Sequence, residues 1–299
     1  MIVKLMRKGE NMKIEHKTIS VDGISIFYRE AGNKDNPTIL LLHGYPSSSH
    51  MYRNLIPKLA GQYHVIAPDY PGFGRSDQPT VEEFAYTFDN LSEVMYSFIE
   101  KLEMDKFSIY VHDFGAPVGF ILASKHPERI QTVISQNGNA YEEGLEPAWA
   151  PVRAFWENPK DENNIKAVMD LFSEEIVRLQ YVSGTRNPEH ISPDNWVSDM
   201  YRMNQPGNRE IMLALHYDYQ NNLKAYPIWH DYFRRYQPPT LVAWGKNDMF
   251  FGPNGALAYN KDLKDVEIHL LNTGHFPLEE DLEISSTLIL QFLNDRLNK

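Results

Sequence analysis

Short apolar, β-branched runs alternate along the chain with stretches of helical periodicity, a pattern that predicts βαβ units and a mostly parallel sheet. Ile24 to Arg29 alternates in the manner of an antiparallel entry strand. Thr38–Leu42 and His64–Ala67 read as buried strands bounded by turn residues, followed by Phe107–Val111 and Ile130–Ile134. After a long interval the pattern resumes at Thr240–Trp244 and Val266–Leu271. Leu91, Val94, Met95, Phe98 and Leu102 recur at helical spacing. Asn90, with Glu93 three residues on, predicts the N-terminal cap of that helix. The segment from Leu278 to Leu297 predicts a closing helix with Leu282, Ile284, Leu288, Leu290 and Leu293 available to the core.

The interval from Tyr141 to Tyr236 breaks this alternation. It has no convincing strand, and it holds Trp149, Trp156, Trp196 and Trp229, leaving only Trp244 outside. Tyr141, Tyr181, Tyr201, Tyr217, Tyr219, Tyr226, Tyr232 and Tyr236 lie in it too. An aromatic-rich helical insertion between two sheet strands predicts a lid over a pocket; a helical layer whose aromatics fill a core is the other reading. The expected division is therefore a core of residues 12–140 and 237–299, an inserted helical cap of 141–236, and an N-terminal extension of 1–11.

Composition narrows the classes. At 299 residues the chain can bury roughly three quarters of its unfolded surface in one large α/β domain. Hydrophobic and charged fractions of 42% and 23% are those of an ordinary globular protein. With 29 Lys and Arg against 40 Asp and Glu the net charge is −11, and no basic stripe offsets it, so a nucleic-acid partner is not expected. The chain has no cysteine, which excludes disulfides and thiolate metal sites. No apolar run approaches the ~20 residues that span a membrane. The start lacks an apolar h-region and a small-residue cleavage site, so the expected location is cytoplasmic.

Four segments at strand ends carry candidate chemistry. Val111-His112-Asp113-Phe114-Gly115-Ala116 follows a strand and opens a helical run. A nucleophile held on a sharp strand-to-helix turn needs this context, with small residues nearby to relieve the strained backbone. Val111 departs from the glycine usual two residues before such a nucleophile. Asp113 is also a plausible helix N-cap, so this segment alone leaves two readings open. Leu42-His43-Gly44-Tyr45-Pro46 follows another strand, where an oxyanion loop belongs, and the backbone N–H groups of Tyr45 and Phe114 are the expected donors. Asp248 follows the strand that resumes after the insertion, and His275 follows the last one. Nucleophile, acid and histidine thus come in a fixed order, each beyond the carboxyl end of a strand, the side where open α/β sheets build sites.

Across about Met12 to Leu297 the chain resembles the α/β-hydrolase superfamily. His112-Asp113 and His43-Gly44-Tyr45-Pro46 are similar to the epoxide hydrolase and haloalkane dehalogenase group, in which an aspartate stands where esterases carry serine. The resemblance implies attack of Asp113 on an sp³ carbon, an alkyl-enzyme ester, and its cleavage by water that His275, oriented by Asp248, activates. It implies a small organic substrate, no cofactor or metal, and a monomer or homodimer. Dehalogenases of the group usually place Trp after the nucleophile, whereas Phe114 carries no donor and Tyr45 stands where some have Asn. Trp149 or Trp156 could still supply a halide donor. Epoxide opening uses two lid tyrosines in the group; His216-Tyr217-Asp218-Tyr219 resembles the stretch bearing one, which makes Tyr219 the expected acid and Tyr181, ahead of Tyr141, its expected partner. Epoxide hydrolysis is the favoured expectation, dehalogenation the alternative, and a non-catalytic small-molecule-binding protein the reading from another class.

Overall fold

The computed structural model describes residues 13–297, so the expected extension of residues 1–11 lies outside the described residues. Eight strands form one sheet: β1 (Glu15–Val21), β2 (Ile24–Ala31), β3 (Thr38–Leu42), β4 (His64–Pro68), β5 (Phe107–His112), β6 (Ile130–Gln136), β7 (Thr240–Gly245) and β8 (Val266–Leu271). Their spatial order is β1-β2-β4-β3-β5-β6-β7-β8. β1 and β2 pair antiparallel, β2 meets β4 antiparallel, and the other pairs are parallel. The sequence pattern found β2 to β8 but not β1, whose residues are mostly exposed or half-buried and so carry little apolar signal.

Eleven α-helices accompany the sheet among the described residues. α1 (Ile56–Leu59), α2 (Phe88–Lys101) and α3 (Gly115–Lys125) precede β6. α4 (Ala150–Glu157), α5 (Glu162–Asp170), α6 (Glu174–Val182), α7 (Asp194–Met203) and α8 (Asn208–Tyr236) lie between β6 and β7, and no named strand interrupts them. α9 (Pro253–Ala258), α10 (Pro277–Glu280) and α11 (Leu282–Leu297) follow.

Strands β3 and β5 show why the sheet is buried on both faces. Leu40, Leu42, Ile109 and Val111 point into one core cluster, which also takes in Phe114, Trp149 and Tyr219. Ile39, Leu41 and Tyr110 point into the other, with Ile289, Phe292 and Leu293 of α11. Alternate residues on a strand face opposite sides, so a continuous apolar run is what a sheet covered on both faces requires.

Two local expectations are corrected. The cap of α2 is Thr87, whose extended backbone lets its hydroxyl accept the Asn90 N–H at 3.1 Å. Asn90 sits within the first turn and donates its side-chain amide back to the Ala85 carbonyl. The closing helix is also broken: Asp281, between α10 and α11, is buried and binds Arg186 at 2.6 Å. Leu293 is buried and Leu282, Leu288 and Leu290 pack half-buried against the core as expected, but Ile284 is exposed, and Ser285, Ile289 and Phe292 complete the buried face of α11.

Candidate active site

The turn after β5 holds Asp113 at φ = 49°, in the left-handed region that costs an ordinary residue strain. Small neighbours allow the turn to exist. A Cβ on Gly115 would lie 2.1 Å from the Leu42 carbonyl oxygen, and one on Gly44 would lie 2.4 Å from the Asp113 Cβ. The absent glycine at Val111 is compensated across the helix. Val111 Cγ1 fills the space that a side chain on Gly119 would need, 2.5 Å from its Cβ position.

Asp113 is buried, and its two carboxylate oxygens have different surroundings. Oδ1 accepts the Tyr45 N–H at 2.6 Å, and the Phe114 N–H also bonds the carboxylate. Oδ2 lies 3.7 Å from His275 Nε2, beyond hydrogen-bond reach. His275 Nδ1 is 2.7 Å from Asp248 Oδ2. A carboxylate at Nδ1 holds the proton there, so in the neutral ring Nε2 is the bare nitrogen facing Asp113.

Asp248 is itself fixed. Its Oδ2 also accepts the Asn137 amide at 2.8 Å, and its Oδ1 accepts the Phe250 N–H at 2.8 Å. Asn137, at φ = 48° just beyond β6, further bonds the Gly245 backbone on both sides of its amide. The sequence reading missed it. The signal was an Asn-Gly pair directly after a strand, the usual mark of a turn with positive φ.

Burial pushes the Asp113 carboxyl up to about 6, tempered by the charge of His275 and by the Phe114 and Tyr45 N–H groups. For His275 burial works the other way, but the charge and hydrogen bond of Asp248, with the charge of Asp113, outweigh it and raise the ring above its usual value. A protonated Asp113 cannot act as a nucleophile. If it attacks substrate, kcat/KM should fall about tenfold per pH unit below pH 6, as measured in buffers of constant ionic strength.

A small cavity opens over Asp113, with up to about 340 Å³ of atom-free space when the solvent at its mouth is counted. Tyr45, Phe114, Trp149, Leu171, Ile176, Gln180, His216 and Phe250 complete its wall. Gln180 and His216 escaped the sequence reading. The Nδ1 of His216 lies 2.7 Å from the Met212 carbonyl, which can only accept, so Nδ1 carries the proton and Nε2 of the neutral ring is an acceptor. Burial holds His216 down to about 4, in that neutral form. The Tyr45 hydroxyl is buried, with Gln180 as a polar neighbour.

Of the aromatic residues expected to meet substrate, Trp149 lines the cavity, and Tyr181, Tyr219 and Trp156 do not. Tyr181 stacks on Phe276 at 4.1 Å and donates its hydroxyl to Asp199 at 2.5 Å, away from the cavity wall. Tyr219 lies behind the wall, packed on Phe114 and Trp149, with the Tyr226 hydroxyl as its polar neighbour. Trp149 reaches the cavity, but its indole N–H donates to the Phe250 carbonyl at 3.2 Å. Trp156 stacks parallel to Tyr219 and donates to the His216 carbonyl at 2.7 Å. His43 is a buried support: Nδ1 bonds the Gly44 carbonyl and Nε2 accepts the Tyr70 N–H. Pro46 lines a separate cleft.

The parallel sheet, the elbow after β5 and the loops after β3, β7 and β8 are those of an α/β hydrolase, and the chain belongs to that family: the alpha/beta hydrolase fold matches residues 37–282. Among curated relatives, the uncharacterized hydrolase YNR064C of Saccharomyces cerevisiae is 44% identical over 267 residues, covering 88% of this chain and 91% of that protein. A haloalkane dehalogenase of Mycobacterium marinum is 40% identical over 116 residues, 38% of this chain and 39% of its own length. Similar solved structures include the epoxide hydrolase CorEH, with a TM-score of 0.75 at 22% identity, covering 95% of this chain and 99% of that one. A variant of DbjA has a TM-score of 0.79 at 21% identity, covering 96% and 100%. At such identities these likenesses show the shared fold. The chain is thus a hydrolase of the α/β family with dehalogenase and epoxide hydrolase neighbours. Among the described residues no helix is long and apolar enough to cross a membrane.

Proposed function

We propose that this chain hydrolyses small epoxides through an ester on Asp113, with the inserted helices of residues 141–236 serving as the cap of the site. The observation that carries the reading is the asymmetry of the Asp113 carboxylate: Oδ1 is tied to the Tyr45 N–H, while Oδ2 is free of a hydrogen bond and looks toward His275 Nε2 at 3.7 Å. Oδ2 attacks an epoxide carbon, the carbon–oxygen bond breaks, and the alkoxide takes a proton from a donor in the wall. His275 then accepts a proton from water as the hydroxide adds to the Asp113 carboxyl carbon. The oxyanion forms at Oδ1, on the Tyr45 and Phe114 N–H groups. Collapse breaks the bond from the carboxyl carbon to Oδ2, and the departing alkoxide takes the proton held by His275. Asp113 is left as a carboxylic acid and the wall donor without its proton, so transfer of that proton from Asp113 to the donor restores both, and the net change is epoxide plus water to vicinal diol.

The donor assigned to ring opening is Tyr45, which would serve through its hydroxyl as well as its backbone, with Gln180 beside it. Tyr181 is not assigned this role because its hydroxyl is given to Asp199; Tyr219, whose buried hydroxyl feels the Asp113 charge, packs on Phe114 off the cavity wall and ranks behind Tyr45. Carbon–halogen hydrolysis is the second reading, favoured by the dehalogenase relative. Against it stand Phe114, without a donor, and two indoles whose N–H groups are spent on carbonyls. Purified protein assayed on a panel of small epoxides and haloalkanes should release diol and no halide. Tyr45→Phe should slow diol formation by roughly 10²-fold with the fold unchanged. Halide release without diol would replace the epoxide reading. An equal loss in Tyr219→Phe with none in Tyr45→Phe would remove Tyr45 as donor.

A further inference from the structure

A second cleft, with up to about 720 Å³ of atom-free space, lies between the sheet side of the molecule and helix α7. Arg29 of β2, Pro46 to Ser48 after β3, and Asp69, Gly74 and Arg75 after β4 form its core side. Ser198, Asp199, Tyr201 and Arg202 of α7 form the other. It shares no lining residue with the cavity over Asp113.

Its lining gathers three arginines without an ion pair, one of them buried. Arg53, Arg129, Arg186, Arg234, Arg235 and Arg296 each have a carboxylate within 4.0 Å. Among the described residues, none of the three arginines in the cleft does, although the chain carries an excess of eleven acidic groups. Arg29 is only 8% exposed. Arginine is rarely buried without a counter-charge, because desolvating a cation is costly. The Arg29 guanidinium donates to the Ser49 hydroxyl from Nη1 and packs over the Phe27 ring at 5.2 Å. Arg202 donates Nε and Nη2 to the Gly72 and Ser76 carbonyls, which fixes its orientation and leaves its charge unneutralised. Arg75 is exposed at the mouth.

The acids in the wall are already engaged. Both oxygens of Asp69 accept backbone N–H groups, from Ser49 at 2.7 Å and Arg75 at 2.8 Å. Asp199 accepts the Tyr181 hydroxyl, and burial pushes its carboxyl up to about 7, so near neutrality it offers less than a full charge. His50, also in the wall, is held neutral by burial and by Arg53 and Arg29. Three guanidiniums against one full carboxylate leave the cleft cationic.

We propose that this cleft binds the oxyanion head of a small ligand, a phosphate or carboxylate group, between Arg29, Arg75 and Arg202. Planar guanidiniums match such groups through paired N–H donors. Because Arg29 and Arg75 come from the core and Arg202 from α7, an anion there would bridge the inserted helices to the sheet and stabilise the folded chain. The site does not depend on the reaction assigned to Asp113.

Titration of the intact protein with inorganic phosphate, and separately with succinate, by calorimetry against sodium chloride of matched ionic strength tests this. At least one of the two should bind saturably at one site per chain and raise Tm, and the stronger identifies the preferred head group. Arg75→Gln, at an exposed position that the fold does not need, and Arg202→Gln should each weaken binding about tenfold. Arg209→Gln, outside the cleft, should leave it unchanged. Heats equal to those of chloride for both anions, or binding undiminished in Arg75→Gln and Arg202→Gln that retain the native circular dichroism, would overturn the proposal.

Discussion

His275→Ala is expected to stop after a single chemical event per chain and to retain the substrate on Asp113. Attack needs only the Asp113 carboxylate, the Tyr45 and Phe114 N–H groups and a proton donor, all of which the substitution leaves in place; it removes the His275 charge that holds the Asp113 carboxyl down, so the adduct is sought above pH 7. Ester cleavage needs a base at the carboxyl carbon, and the bare Nε2 is the group placed for it. Steady-state turnover should fall by roughly 10³-fold or more. The adduct's mass also separates the two chemistries. An epoxide adds its whole mass to the peptide containing Asp113, whereas a haloalkane adds its mass less one hydrogen halide. His275 is buried among His112, Phe250, Phe251 and Phe276, so His275→Gln, closer in volume, guards against loss of fold. If both variants are folded and neither gains mass from substrates that the native protein turns over, Asp113 is not the nucleophile.

Asp248→Asn should be nearly as damaging, for a reason of hydrogen-bond counting. The two oxygens of Asp248 serve three donors: His275 Nδ1, the Asn137 amide and the Phe250 N–H. A carboxamide has one acceptor oxygen and one donor nitrogen. If its oxygen faces His275, its NH₂ meets the Phe250 N–H; if it turns over, His275 must shift its proton to Nε2 and ceases to be a base toward Asp113. Either arrangement also removes the charge that holds His275 above its usual range. Turnover should fall by roughly 10³ to 10⁴-fold, with ester cleavage slowed more than ester formation. Rapid-quench measurement of the two steps checks this, and a loss below tenfold would show that Asp248 does not orient the imidazole.

The sheet and the polar residues at its strand ends could be read from the sequence because their positions follow from local rules. A buried strand must be apolar, and the residue after it is where the chain turns: hence Asp113, Asp248 and His275. The residues of the helices between β6 and β7 obey no such local rule. Gln180 and Tyr181 are neighbours on α6, about 100° apart around the helix. Docking turned Gln180 to the cavity and Tyr181 to Asp199. His216 and Tyr219 are three residues apart on α8, yet one meets the cavity and the other fills space behind Phe114. Five helices packed against one another decide these directions, and periodicity reports only that a face is buried. Asn137 was hidden differently, since its role depends on a partner 111 residues away.

The 3.7 Å gap between Asp113 and His275 has a consequence for timing. It is too wide for a shared proton, yet close enough for the carboxylate's charge to help keep the imidazole protonated. Conversion of Asp113 to an ester erases that charge. On the proposed route the imidazole would then hold a proton less tightly, which would favour the neutral ring once there is an ester to cleave. In forming the intermediate, the first step would thus make His275 a readier base for the second.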